Sequence, residues 1–453
     1  MLEKSEVSAR ELLDAHVERI ELVNPQLNAV VALNVEVGQK RAAAVDEARA
    51  RGDQLGSLAG LVTAHKDLAD TADFPTTYGS PVFADHQPAA DSLLVSRVKA
   101  AGGVAIGKTN TPEFGRGSNT FNPVYGTTVN PYEPARSCGG SSGGAAVALR
   151  TGMVAIADGS DMGGSLRNPA GWTNTVGFRA SAGVVPHMPA GPPFPRLATD
   201  GAMGRSVDDM VMLLRVLSEQ HLPDPLSHGL NLPDKIMPID RPIRVAFTPD
   251  FGDLPIEADV AGVIGQLPDV MTGMGWEVVE ATPDFSGAAD VFTTLRGWLN
   301  ATTFAARLGD RFSEVKETIR NEAAAGGAVT PQQITEALTH LGVLWGRSAA
   351  FFSDYDILIG PVTQVSPFPI EVEYPVTVAG QEMNHYIEWM MSCCYVTAMG
   401  NPALSLPAGF TEAGLPVGMQ IIGGPWQDIA VLRVAKTLEA ATGHGLVRPS
   451  ILD

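Results

Sequence analysis

The chain has 453 residues, 45% of them apolar and 18% charged, which excludes general disorder and leaves ample length to bury a core without metal or disulfide staples. With 31 basic against 50 acidic residues the formal charge is −19, which repels phosphate backbones and anionic lipid, so neither nucleic acid nor a membrane surface is expected as a partner. Three cysteines and nine scattered histidines, with no His-x-x-x-His pair and no spaced Cys pair, speak against a disulfide framework and a metal site, and no cofactor is expected.

The N-terminus is charged at once and has no apolar leader, so a cytoplasmic protein is expected. Ser8-Ala9-Arg10-Glu11 reads as a capping box that opens a helix through Leu13, Val17 and Ile20. Only seven residues precede that cap, which leaves an upstream start open. A second helix is predicted over Val35–Ala50, a buried strand over Leu58–Ala64 leading to Lys66, a helix over Ser92–Ala101 and a strand over Val104–Gly107. No apolar run is long enough to span a bilayer, since the stretch Ala145–Ala157 is broken by Arg150. Alternation continues to Leu217 and resumes at Arg244 with a strand, a helix over Val260–Gly273 that Pro268 kinks or splits, and a strand over Trp276–Glu280. Residues 286–352 read as helical (Val291–Ala306, Arg311–Ala324, Pro331–Phe352), forming a cap or insertion. Strands over Asp356–Pro361, Ala403–Pro407 and Gly418–Ile422 and a helix over Gln427–Thr442 complete the pattern. It is that of a single α/β/α domain over 1–453, with a mixed, twisted sheet covered by helices.

Chemistry concentrates between Arg136 and Ala170, where two serines sit in glycine-rich turns 24 residues apart, Ser141 and Ser165. A nucleophilic serine needs open approach and backbone N–H donors where negative charge develops. The turn Met162-Gly163-Gly164-Ser165 offers converging N–H groups at a helix start near Leu166. It also needs a base. No histidine has a suggestive local motif, whereas Lys66 ends an apolar segment, and a lysine held dry loses its proton near neutral pH.

These residues resemble the amidase signature family of serine hydrolases. Nearly the whole signature stands between Gly139 and Ala170, through Asp161, Ser165, Arg167 and Pro169. Matches extend to Lys66-Asp67, Gly107-Lys108-Thr109-Asn110, Val176-Gly177-Phe178-Arg179, Gly201–Arg205, Gly400-Asn401-Pro402-Ala403 and Gly414–Gln420, and are densest over 60–205. The resemblance implies Lys66 as catalytic lysine, Ser141 as bridging serine after a cis peptide, and Ser165 as nucleophile. It further implies N–H groups of Met162, Gly163, Gly164 and Ser165 as oxyanion hole, with Ser142, Asp161 and Arg167 supporting the loops. Two departures, Arg150 at a usually small position and the missing proline before Lys66, lie off the three catalytic positions. The family implies a small-molecule amide, ester or carbamate (urethane) as substrate, and an aryl-amidase or urethanase-like member falls within that range. The tyrosine-rich segment of amidotransferase subunits is missing, so a free-standing hydrolase is expected over an ammonia-releasing subunit.

Two rival motifs remain. Gly139-Gly140-Ser141-Ser142-Gly143 satisfies the G-x-S-x-G elbow of α/β-hydrolases, with Ser141 as nucleophile and His385 or His444 as base. Gly102–Thr109 formally matches a phosphate-binding loop, although Val104-Ala105-Ile106 reads as strand. Cys138, Cys393 and Cys394 read as packed, inert thiols. Gly115-Arg116-Gly117, a loop over Pro186–Pro195 and the helical insertion are expected to line the substrate pocket, with small glycines and apolar loop residues favouring a bulky neutral substrate. A monomer or homodimer is expected.

Overall fold

Short apolar strands that alternate with amphipathic helices must bury one face each, and in this computed structural model they do so on one eleven-stranded mixed sheet. The structure describes residues 1–2, 4–188, 193–195 and 197–452. Numbered in chain order, the strands are β1 (Val30–Val31), β2 (Val62–Lys66), β3 (Val104–Thr109), β4 (Ile156–Asp161), β5 (Val176–Arg179), β6 (Thr199–Gly204), β7 (Arg244–Phe247), β8 (Glu277–Glu280), β9 (Ile357–Pro361), β10 (Ala403–Phe410) and β11 (Pro416–Ile422). Their spatial order is β1-β3-β2-β4-β6-β5-β10-β11-β9-β7-β8. β2 runs parallel to both β3 and β4, the strands from β4 to β9 pair antiparallel, and β9, β7 and β8 are parallel again.

Helix boundaries follow local chemistry. The first helix, Ala9–Leu27, opens on the predicted capping box, with Glu11 N–H donating to Ser8 Oγ at 3.1 Å and Ser8 N–H to Glu11 Oε2 at 2.8 Å. Val35–Ala50 is helical as predicted. Pro268 splits the expected Val260–Gly273 helix into Ala258–Ile264 and Leu267–Gly273, because it occupies the first turn of the second piece, where no N–H partner is needed. The expected 311–324 helix is instead a 3₁₀ turn, Gly309–Glu314, followed by a helix over Glu317–Gly327. Gly309 at φ +51° ends the preceding helix, Ala288–Leu308, and extended Val315 separates the two pieces.

One shift bears on the site. The strand predicted over 58–64 is a turn as far as Gly60, whose φ of +85° is not a strand torsion, and β2 then runs from Val62 through Lys66. Lys66 is therefore the last residue of an interior strand rather than the residue after it. Apolar side chains divide into separate buried clusters on the sheet. One gathers Val207, Leu214 and Leu432, another Leu13, Val147 and Leu166, and a third Trp172, Phe292 and Trp389 beneath the helical block. Among the described residues no helix is long and apolar enough to cross a membrane. Nor is there among them a group of three or more His, Cys, Asp and Glu placed to hold a metal ion.

Candidate active site

β2 and β4 are neighbours, and their ends present the polar residues of the site. Alternation along β4 sends Asp158 and Ser160, with Met162 beyond the strand, to one side, while Asp161 faces the following helix, Arg167–Trp172. Lys66 is 2% exposed. Its Nζ donates to Ser141 Oγ at 2.8 Å, Ser142 Oγ at 2.9 Å and Ser160 Oγ at 3.1 Å. Among the described residues no carboxylate forms an ion pair with that amine. Burial therefore dominates and pushes the lysine down to about 7, against a weaker upward pull from Asp200, Asp161 and Asp158. Asp158 also clamps the strand end, accepting the Lys66 backbone N–H at 3.1 Å and contacting His65 Nδ1 at 2.6 Å.

The two glycine-rich turns meet. Ser142 N–H donates to the Ser165 carbonyl at 3.2 Å, joining segments that are far apart in the chain. The Gly140–Ser141 peptide is cis. Ser141 is 2% exposed and Ser165 half-buried. Gly164 has φ +108°, and a Cβ there would lie 2.8 Å from Cys393 Cβ, so this turn needs glycine for both torsion and space.

Asp161 and Arg167 form a fully buried bidentate pair, Nη2–Oδ1 at 2.8 Å and Nε–Oδ2 at 3.0 Å. Arg179 adds Nη1 contacts to the Asp161 carbonyl at 2.7 Å and to Oδ1 at 3.5 Å. Despite burial, the two guanidinium charges and their hydrogen bonds hold the Asp161 carboxyl far below the usual range. Asp161 also accepts Gly164 N–H at 3.0 Å and Leu166 N–H at 3.1 Å. Gly164 N–H is thus paired with Asp161, whereas the N–H groups of Met162, Gly163 and Ser165 meet no acceptor among the described residues.

A cavity of about 830 Å³ opens beside Lys66, Ser160 and Met162. Its far walls come from Leu299, Asn300, Thr303 and Arg307 on helix Ala288–Leu308 and from the described part of the 186–195 loop, including Pro186, His187 and Pro195. Residues 189–192 of that loop lie outside the described residues. Of the trio 115–117, Arg116 lines the cavity, whereas Gly115 lies against Ser141, where a Cβ would stand 3.2 Å from its Oγ. Gly117 faces Lys316, with Nζ 3.5 Å from a Cβ placed there.

Sequence reasoning missed Ser160, Asp158 and the Arg296–Glu322–Tyr386 cluster. The first two were findable from strand alternation upstream of Asp161; the cluster joins three distant segments and has no local signal. The rival motifs lose their geometry. His385 pairs with Glu388 at 3.3 Å, the His444 ring lies near Gly409, and the partner of Ser141 Oγ is instead Lys66 Nζ. Lys108 lies inside β3 with its Nζ on Ala69 O, Thr71 Oγ1 (2.9 Å) and Thr76 Oγ1 (3.0 Å), a loop anchor with no phosphate cradle. Arg150 fills its unusual position by donating to the carbonyls of Asn174 at 3.0 Å and Gly445 at 2.8 Å, tying its helix to the C-terminal segment.

The family profile described as Amidase matches residues 11–432. The chain is 30% identical over 443 residues to an acylamidase of Rhodococcus erythropolis, covering 96% of this chain and 92% of that one. It is 32% identical over 485 residues to a glutamyl-tRNA(Gln) amidotransferase subunit of Synechococcus sp. (strain CC9605), covering 99% and 96%. The crystal structure of a bacterial aryl acylamidase of the amidase signature enzymes superimposes with a TM-score of 0.91 at 26% identity, covering 98% of this chain and 95% of that one. Sheet order, the serine-rich turns around a buried lysine and these likenesses agree: the chain belongs to the amidase signature family and is an amidase, a hydrolase acting on amides.

Proposed function

We propose that this amidase cleaves the C–N bond of small carboxylic amides through an acyl-enzyme on Ser165, armed by a Lys66–Ser141 proton relay. The observation that carries the reading is the buried Lys66 amine, 2.8 Å from Ser141 Oγ and without a carboxylate ion-pair partner among the described residues. Neutral Lys66 takes the Ser141 proton as Ser141 takes that of Ser165, whose Oγ then attacks the carbonyl carbon. The N–H groups of Met162, Gly163 and Ser165 receive the oxyanion, and the relay returns a proton to the departing amine. Water, deprotonated by the same relay, then hydrolyses the ester. Esters and carbamates, urethanes among them, share the needed carbonyl and leaving group, so they fall within the same chemistry. Ser142 and the Asp161–Arg167 pair hold the two turns in register. One chain supplies every residue named, which suits a monomer or a homodimer, and three buried free thiols suit a reducing, cytoplasmic setting.

The test is peptide mapping after treatment with a serine-directed phosphonylating probe, alongside Lys66→Ala. One adduct on Ser165 in the wild type and very slow labelling in the variant are expected; an adduct on Ser141 alone overturns the relay. Likeness to the glutamyl-tRNA(Gln) amidotransferase favours a second reading, an ammonia-releasing component of a larger enzyme. Release of free acid and amine from aryl amides by the isolated chain selects the hydrolase.

A further inference from the structure

A buried histidine and a buried aspartate stand beside Lys66, and the relay uses neither. Asp158, on β4, is 2% exposed, and both of its oxygens are taken by β2. Oδ2 accepts the Lys66 backbone N–H at 3.1 Å, and Oδ1 contacts His65 Nδ1 at 2.6 Å. An ionised carboxylate only accepts, so Nδ1 carries the ring hydrogen. His65 is fully buried and its Nε2 has no hydrogen-bond partner, so a second ring hydrogen would be a buried donor with nothing to bond. The ring is therefore neutral, and the pair keeps the single negative charge of Asp158.

Strand geometry brings that charge to the amine. Ser160 Oγ accepts from Lys66 Nζ at 3.1 Å, and Asp158 lies two residues earlier on the same face of β4, about 7 Å along the strand. Asp158 and Lys66 both line the cavity. At such a separation and an effective dielectric of about 20, one charge displaces the titration of another by about one to two pH units.

Other charges act on the amine as well. Burial sets its low value, and Asp200, Asp161 and Asp158 pull it upward in that order. Asp200, paired across β6 with Ser160, is part-exposed and bonded to His187 at 2.7 Å. Asp161 is held by Arg167 and Arg179. Arg116 pushes the amine downward and shares Glu322 with Arg296. Lys108, on β3, also feels Asp158, after a stronger attraction to Asp67. Among the described residues Asp158 forms no ion pair with an arginine or a lysine, so its charge is left to act on its surroundings. A base driven too low draws a proton weakly, and an upward pull therefore serves the relay.

We propose that Asp158, held by His65, is a positioning residue that keeps the Lys66 amine basic enough to draw the Ser141 proton. This rests on the relay reading above, since Asp158 acts through Lys66, by its charge and by its bond to the lysine N–H.

Asp158→Asn keeps the shape of the side chain and removes its charge, and two measurements on it test the proposal. The first is free of catalysis. The difference in urea stability between a protein and its Lys66→Met variant bends at the pH where the folded amine titrates. Measured for Asp158→Asn against Asp158→Asn/Lys66→Met, that bend is expected about one to two pH units below the one for wild type against Lys66→Met. The second is the pH profile of kcat/KM on 4-nitroacetanilide. Its acid limb is expected to move down by the same amount, with the plateau lowered by about 3- to 10-fold, whereas loss of a merely structural contact would lower the profile without moving its limb. A bend that stays at the wild-type pH overturns the proposal, whatever the limb does. A bend that moves while the limb stays supports the role of Asp158 and refutes Lys66 as the base of hydrolysis. Asp158→Ser, equally uncharged, should displace the bend in the same direction and takes over if Asp158→Asn does not fold.

Discussion

Replacing Lys66 by methionine separates the charge of the buried amine from its packing. The amine has an ordinary value of 10.5 and is pushed down to about 7 in the fold. Between those two values the unfolded chain binds more protons than the native one, so wild-type stability rises with pH, in the sense of a depressed group. The lysine then destabilises the fold by about 4.5 kcal/mol near pH 6.5 and about 2 kcal/mol near pH 9. Methionine removes this dependence but forfeits hydrogen bonds to Ser141, Ser142 and Ser160, each worth about 0.5–1.5 kcal/mol at any pH. The absolute stabilities of the two proteins are therefore close. Their difference shifts by about 2.5 kcal/mol in favour of the wild type over that pH interval, which urea unfolding at several pH values reads directly. Activity follows the same proton. The wild-type kcat/KM should fall tenfold per unit below about pH 7 as the amine charges, and Lys66→Met should lose about 10²- to 10⁴-fold at every pH. A stability difference that stays flat with pH, or a variant within a few-fold of wild type, refutes the neutral-lysine argument.

The support of the site makes two more predictions. Arg167→Met leaves the Asp161 carboxylate with two backbone N–H bonds and, as its one ion pair, the longer Arg179 contact of 3.5 Å, and should lower stability by about 3–5 kcal/mol in chemical denaturation. Arg167→Lys should recover little, because an ammonium group does not reproduce the bidentate bond. Cys138 and Cys393, fully buried and pushed up to about 12 by that burial, should not react with an exposed-thiol reagent in the native protein, and should react fully once unfolded. Stoichiometric labelling of the native enzyme would contradict the packing.

Local chemistry decided much of this in advance. The capping box at Ser8, the second helix and the splitting proline act within a turn of chain, so periodicity and capping rules reach them. The signature residues were legible for a related reason. Glycines that admit φ values near +80° to +110°, as at Gly139 and Gly164, and a serine between them leave a fixed local pattern. The strand expected over 58–64 starts later because the torsion of Gly60 delays β2, a departure that a run of apolar residues does not reveal.

Tertiary packing settled the rest. That Lys66 is dry depends on β3 and β4 closing around β2, and the three hydroxyls at its amine come from one turn and a strand that lie far from Lys66 in the chain. The pairing of Arg296 with Glu322 and Tyr386 is likewise invisible in the chain, where these residues lie far apart and look like ordinary surface residues. Sequence by itself determined the alternation, the caps and the chemistry carried by each turn, because these depend on neighbours along the chain. The structure alone decided which charges lose their water and which find partners, because burial is a property of residues brought together from afar.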